Sequence, residues 1–435
     1  MKRFHDGRDW FFEKRYGLFF HWGLYSISRF HEQEIYRRHM TREAYARYID
    51  QFNPVKFDPD QWVQTAIDCG MEYMVITAKH IDGFCLWDTR QTAFNVMNTP
   101  FRQDIIKLLS DACHRRHFPF GVYYSCADMN QKHYPHNNRS YEFSYPQPGD
   151  EPDLTRYMDF VKSQVTELCT QYGELAVFYW DANVLRHKDE SVNEIIRKLQ
   201  PNAMVNNRGY DSGDYATPER EFEQAAVNQL KRFVKPTEAI QSVGMHSWSC
   251  RSGESYYSSR FLLQSMDRIF CLGGNYNLNI GPNADGTLNP HEISLLKKIA
   301  AWLKACGEAV YGALPASELL DSPGQMITVK GDHLYVHLLE QPAGDSVVIS
   351  PLTALPVRAT LLNTGEPLAI RRDMGTQVWH SPMPALTLAG LPVEELYDTI
   401  PVIRLEFERL PESCRQKLHE AERQAADPLR ADHAV

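Results

Sequence analysis

The sequence predicts an α/β fold: a (β/α)8-like (TIM) barrel, somewhat irregular, followed by a small antiparallel β-sandwich. Three observations carry this. From the start to about residue 312, short apolar runs alternate with amphipathic helical patterns, as parallel βα units require. Polar residues stand where several of those runs stop, at the strand ends where barrels gather their chemistry. Past Leu314 the texture changes to short alternating runs divided by Gly, Pro and Asp turns.

In chain order, the strands are expected at 17–23, 73–80, 120–125, 175–181, 204–208, 239–243 and 276–280. Helices are expected at 103–116, 154–172, 192–199, 260–270 and 291–307, where apolar residues recur at three- and four-residue steps. Seven strands in this length fit an eight-fold barrel with one irregular unit better than an open sheet. The runs MITVKG, HLYVHLLE, DSVVIS and VRATLLN then read as the β-sandwich. The expected division is a barrel over 1–312, a sandwich over 313–410, and a charged, Ala-rich tail over 411–435 that is either a frayed helix or disordered.

Composition bounds the function. A chain that is 43% apolar and 12% aromatic has material for a large core, and its rings suit both packing and stacking on sugar faces. The net charge of −9 is spread along the chain with no basic stripe, so nucleic acid is not an expected partner. Nine cysteines without a CxxC pair or zinc pattern read as reduced, mostly buried thiols. There is no secretory h-region at the start and no apolar run of membrane-spanning length, so the expected compartment is the cytoplasm, with no membrane partner. A homo-oligomer is compatible with the sequence.

The run LAVFYWDAN sets Asp181 at the end of an apolar strand, behind an aromatic collar that includes Tyr179. A carboxylate there either caps the next segment or faces the barrel mouth. Glycoside hydrolysis needs two carboxyl groups flanking the scissile bond, one ionised and one protonated. Glu219 in DYATPEREF and Glu238 in KPTEAIQ are the candidate partners. His21 in HWG and His80 in KHIDGF end the first two strands; as neutral imidazoles they suit sugar hydroxyls better than a metal, which would call for HxH and a late Asp. Arg208 in VNNRG ends another strand and either forks onto sugar oxygens or pairs with a carboxylate. Glu34, Tyr124 and Trp248 fall on the same face, while GGNYNLNIGPNADGT reads as architecture because no phosphate-binding glycine motif is present.

In order, the segments DWFFEKRYGLFFHWGLYS, KHIDGFCLWDT, FGVYYS, VFYWD, VNNR, DYATPE, HSWS, GGNYNLNIGPNADGT and GEAVYG make residues 8–312 resemble the α-L-fucosidase family, glycoside hydrolase family 29. The resemblance implies a retaining exo-glycosidase acting on a glycoside or oligosaccharide, with Asp181 as nucleophile and Glu219 as general acid/base. It implies a sugar subsite formed by His21, Glu34, His80, Tyr124, Tyr179, Arg208 and Trp248, with Glu238 as fallback acid/base. It requires no metal or organic cofactor. The family's His-His, Glu-Trp and Asp-Gly steps appear here as His80-Ile81, Glu34-Ile35 and Asp181-Ala182. These departures keep open a related sugar such as an α-L-galactoside, or a carbohydrate-binding barrel without turnover.

Overall fold

The computed structural model describes residues 1, 3–220, 230–322, 324–374 and 384–426. Seven parallel strands form one sheet: β1 (Tyr16–Phe20), β2 (Tyr73–Lys79), β3 (Phe120–Ser125), β4 (Val177–Asp181), β5 (Met204–Val205), β6 (Glu238–Ser242) and β7 (Asn275–Ile280). Their spatial order is β5-β4-β3-β2-β1-β7-β6. Every pairing between them is parallel.

The gap between β5 and β6 is bridged by an extended segment, residues 215–219. Parallel bridges join Asn206 to Tyr215, Ala216 to Thr237 and Glu219 to Ile240. This segment closes the ring in the place of an eighth strand. It is the irregular unit, and β5 is correspondingly short, two residues where the apolar pattern predicts five. Beyond β5 the Asn206 amide continues the clamp on β4, accepting from the Trp180 backbone N–H at 2.8 Å and donating to its carbonyl at 2.9 Å.

Inside the ring, Phe19, Tyr73, Val75, Tyr123, Val177, Tyr179, Met204, Tyr215 and Ile240 share one apolar cluster. These are alternate residues of successive strands, as the two-residue strand period demands. The phase of β4 therefore points Val177, Tyr179 and Asp181 inward. Tyr123 is in register with Tyr179, so the same phase points Tyr123 inward and Tyr124 outward.

The outer helices begin at side-chain caps. Asp104, Asp153 and Asp189 accept from the first-turn amides of Ile105–Arg115, Leu154–Gln171 and Glu190–Leu199; Ser258 and Asn289 do so for Ser259–Cys271 and Pro290–Cys306. A further helix, Pro59–Asp68, lies in a stretch given no element from sequence. Its Asp58 cap and Pro59 are start signals, and Trp62 stacks on Phe20 at 4.6 Å.

The C-terminal part holds a five-stranded and a three-stranded antiparallel sheet. His337 on the strand His333–Leu338 bonds Asp267 of the helix Ser259–Cys271 through Nδ1 at 2.8 Å, both side chains fully buried, which fastens this part to the barrel. The tail is a helix, Glu412–Ala425, with Cys414 and Leu418 packed into the β core. Residues 427–435 of the tail lie outside the described ones. All nine cysteines are free and buried.

Candidate active site

At the C-terminal end of the barrel, a cavity of about 180 Å³ is lined by His21, His80, Tyr123, Tyr179, Asp181, Arg208, Glu219 and Trp248, with Gln33, Ile81, Tyr141, Ala182 and Ile240 completing the wall. It is small beside the ~300–1,000 Å³ clefts that hold drug-sized ligands, and suits one sugar ring. Each polar group arrives from a strand end: His21 follows β1, His80 follows β2, Asp181 closes β4, Arg208 lies just past β5, and Glu219 sits on the closing segment.

Arg208 organises the two acids. Its Nη1 donates to Asp181 Oδ1 at 3.1 Å and to Glu219 Oε2 at 2.6 Å, while Nη2 donates to the Thr217 carbonyl at 2.7 Å. Two contacts of 3.1 and 2.6 Å to one nitrogen cap the separation of those oxygens at 5.7 Å. Both carboxylates stay reachable, with side chains 30% and 36% exposed.

The same neighbours drive the two acids apart in acidity. Burial alone would raise Asp181, but the Arg208 charge and hydrogen bonds from Tyr123 and the Ala182 N–H outweigh it, holding the carboxyl below the usual aspartate range. Glu219 is raised: burial pushes it up, Arg208 offsets part of that, and the Asp181 charge adds to the rise. The two acids are thus pushed in opposite directions, as a division of labour between an ionised and a protonated carboxyl requires.

The wall of the cavity is largely aromatic. His80, Tyr123 and Tyr179 form a stack, with centroids 5.6 and 5.8 Å apart and both pairs inclined 18°. The Tyr123 hydroxyl donates to Asp181 Oδ2 at 2.9 Å. His21 lies against Trp248 at 5.4 Å, and the Arg220 guanidinium sits 4.4 Å from that indole. Asn279 on β7 donates its amide to the Trp248 carbonyl at 2.6 Å and presents its oxygen to His21 Nδ1 at 2.6 Å. Nδ1 is therefore the protonated nitrogen, and Nε2 is an acceptor. Burial lowers His21, and burial with the neighbouring His21 takes His80 down to about 3, so both rings are neutral. At Gly281, a Cβ would meet the Cys250 backbone nitrogen at 2.2 Å; only glycine lets the Trp248-bearing loop lie on the end of β7.

Three sequence-chosen residues fall elsewhere. Tyr124 points outward, fully buried, and donates to Gln164 Oε1 at 2.6 Å on the helix Leu154–Gln171; its neighbour Tyr123 holds the pocket position. Glu34 is enclosed in the short helix Glu34–Arg37, accepting from Arg38 at 3.0 Å, and Gln33 reaches the cavity instead. Glu238 is the first residue of β6, at the opposite end of the barrel from the cavity, where it accepts from the Tyr73 hydroxyl at 2.5 Å. A carboxyl there cannot protonate a leaving group at the mouth. Ile35 is fully buried and absent from the cavity wall, whereas Ile81 lines it.

Sequence reasoning missed Tyr123, which strand phase would have given, and Gln33 and Tyr141, whose loops carry no signal. It also missed Glu32. This fully buried carboxylate accepts from Ser247 Oγ at 2.7 Å and the Trp248 N–H at 3.0 Å, and so fixes the loop bearing the indole. Among the described residues, one group has metal-ligand spacing, Asp267, Cys271 and His337, and it lies at the junction with the β sheets rather than in the cavity.

A family model described as alpha-L-fucosidase matches residues 2–308. The chain belongs to that α-L-fucosidase family. It is a glycoside hydrolase by that membership. Among curated relatives, the tissue alpha-L-fucosidase of Mus musculus is 25% identical over 89% of this chain and 90% of its own length. That of Homo sapiens is 24% identical over 88% and 87%. Among solved structures, alpha-L-fucosidase isoenzyme 1 from Paenibacillus thiaminolyticus has a TM-score of 0.79 and 29% identity, covering 92% of this chain and 99% of that one. A GH29 α-L-fucosidase from Bacteroides thetaiotaomicron, at TM-score 0.76 and 24% identity over 93% and 95%, shares the fold of this family member.

Proposed function

We propose that this α-L-fucosidase family member is a retaining exo-glycosidase that releases a terminal α-L-fucosyl residue by double displacement, with Asp181 as nucleophile and Glu219 as general acid/base. The observation that carries the reading is the Arg208 bridge. It keeps one oxygen of each carboxyl no more than 5.7 Å apart, which is compatible with the ~5–5.5 Å carboxyl spacing of retaining enzymes and favours it over the ~6.5–9.5 Å that inversion needs for its water.

In the first step Asp181 attacks the anomeric carbon while Glu219 gives its proton to the departing oxygen. In the second, Glu219 takes a proton from the water that attacks the same carbon and frees Asp181. His21 Nε2 accepts from a sugar hydroxyl, and His80 and Tyr179 complete the polar wall. Trp248 and Ile81 supply apolar surface for the sugar face and its methyl. The dead-end barrel pocket supports exo action on a chain end. We assign catalysis to residues 1–312, and the unpaired state of all nine thiols supports a cytoplasmic compartment.

The test is labelling with a 2-fluoro-fucosyl reagent followed by peptide mapping. The expected adduct is on Asp181, and Asp181→Ala should lose turnover with the fold intact. Label on any other carboxylate overturns the assignment. Faster turnover of an aryl α-L-galactoside than of the fucoside would replace the sugar while leaving the mechanism.

A further inference from the structure

Beside the sugar pocket runs an open cleft of about 600 Å³ that shares Asp181, Ala182 and Arg208 with it, and so begins at the edge where the scissile bond must lie. Three of its eight lining residues are arginines, Arg139, Arg186 and Arg208, and its sole carboxylate is Asp181. On a chain of net charge −9 this is a local reversal of sign.

The three cations are differently committed. Arg208 is held by Asp181 and Glu219. Arg139 is pinned by Glu142 at Nε, 2.8 Å, and by the Pro135 carbonyl at Nη2, 2.6 Å, which leaves Nη1 without a partner among the described residues. The exposed Arg186 guanidinium has no hydrogen bond or ion pair among them at all, although the loop bearing it is fixed. Its backbone N–H donates to the Asn183 carbonyl at 3.0 Å, and the Asn183 amide donates to the carbonyls of His187 and Gly209 at 2.9 and 2.8 Å. The two loops flanking the cleft also concentrate left-handed backbone at non-glycine residues: Asn138 (φ 57°), Tyr141 (62°), Ala182 (55°) and Arg186 (52°). Such conformations persist where surrounding contacts enforce them, and they cluster at ligand clamps.

We propose that this cleft is a second subsite, in which Arg186, assisted by Arg139, recognises an anionic group, a sulfate ester or a carboxylate, on the sugar beyond the scissile bond. The proposal rests on the fucosidase reading and names the class of glycan that reading leaves open. Planar guanidinium forks match both oxyanions, and an unpaired one on a fixed loop can bind without first breaking an ion pair.

The test uses the full chain and three fucosyl disaccharides of one linkage whose second sugar is neutral, O-sulfated or a uronic acid. Wild type should prefer one or both anionic substrates, and the arm that responds identifies the anion. Arg186→Gln should lower the anionic-to-neutral ratio of kcat/KM by roughly three- to tenfold, the reach of one charge-assisted contact at a half-open site. Arg186→Lys should lower it less, and raising NaCl from 50 to 500 mM should compress the wild-type ratio. Arg186 is exposed and unpaired, so its replacement should not disturb folding, unlike Arg139, which would strand Glu142. A ratio unchanged in Arg186→Gln, with the neutral fucoside still turned over, overturns the subsite alone. If wild type turns over no fucoside, the fucosidase reading falls and the subsite falls with it.

Discussion

Replacing Glu238 by Gln separates a buried structural acid from a catalytic one, and the two outcomes differ in sign. Glu238 is fully enclosed, its Oε2 accepts from Tyr73 at 2.5 Å, and burial pushes its carboxyl from 4.5 up to about 7. A carboxyl whose folded pKa is raised favours folding most below its unfolded pKa, and that contribution is lost as pH rises through the folded value. At 1.36 kcal/mol per pKa unit, the interval from 4.5 to about 7 amounts to roughly 3 kcal/mol of stability lost across that window. Glutamine keeps an acceptor for Tyr73 and does not titrate. Urea midpoints at pH 4.5 and pH 8 should therefore fall further for wild type than for Glu238→Gln. Subtraction at each pH removes Glu292, which burial pushes up to about 8 and which acts in the same direction. Hydrolysis of aryl fucosides should survive the change. Parallel pH slopes would refute the burial argument, and selective loss on poor leaving groups would make Glu238 the acid/base after all.

Four other substitutions test the site. In Glu219→Gln, kcat/KM on poor leaving groups should fall by about 10²–10⁴ while activated aryl glycosides suffer less. Wild type needs Asp181 ionised and Glu219 protonated, so its profile should be a bell, falling on the acid side as pH drops through the lowered Asp181 value and on the alkaline side as pH rises through the raised Glu219 value; the variant should lack the alkaline limb. Tyr123→Phe removes a bond to the ionised Asp181, worth about 1.5–3 kcal/mol, so kcat/KM should drop roughly tenfold or more and the acid limb should move up. Tyr124→Phe should cost about 1 kcal/mol of stability and leave kinetics alone; a reversed pair of results would restore Tyr124 to the site. Ala182→Gly relieves a left-handed alanine at φ 55° and should raise stability by up to about 1 kcal/mol, measured by thermal unfolding; a loss would mean that the loop does not hold strain there.

The barrel was legible because most of its strands carry short apolar runs and its helices carry the 3.6-residue stripe, so most strand positions follow from pattern. The closing segment was not. YATPE contains no apolar run and holds Pro218, and it completes the ring through three isolated bridges rather than a ladder. Asp181, His21, His80 and Arg208 were readable from position at strand ends, whereas Glu219 on the closing segment was singled out by the family resemblance. The errors came from ignoring direction. Phase assigns Tyr123 rather than Tyr124 to the interior, and the rule that barrel chemistry sits at strand C-termini already disfavours Glu238, which opens its strand. The exchange of Glu34 for Gln33 and Glu32 has another cause: short helical turns in the loop after β1 rotate successive residues by about 100°, and no periodicity in so few residues fixes the phase.

The charge balance of the pocket explains why its histidines are buried. In the proposed reaction positive charge develops on the sugar ring, so a protonated imidazole beside it would oppose the transition state and compete for Asp181. Enclosure keeps His21 and His80 neutral, leaving Asp181 and Arg208 as the fixed charges against a protonated Glu219. Arg208 then links the two half-reactions. While Asp181 is ionised, its charge helps hold the proton on Glu219, ready for the leaving oxygen. Once Asp181 is esterified that repulsion disappears, but the 2.6 Å contact from Arg208 to Glu219 can persist, so the affinity of Glu219 for a proton falls just when it must take one from water. In the proposed mechanism the guanidinium thus makes the acid of the first step into the base of the second without any change of residue.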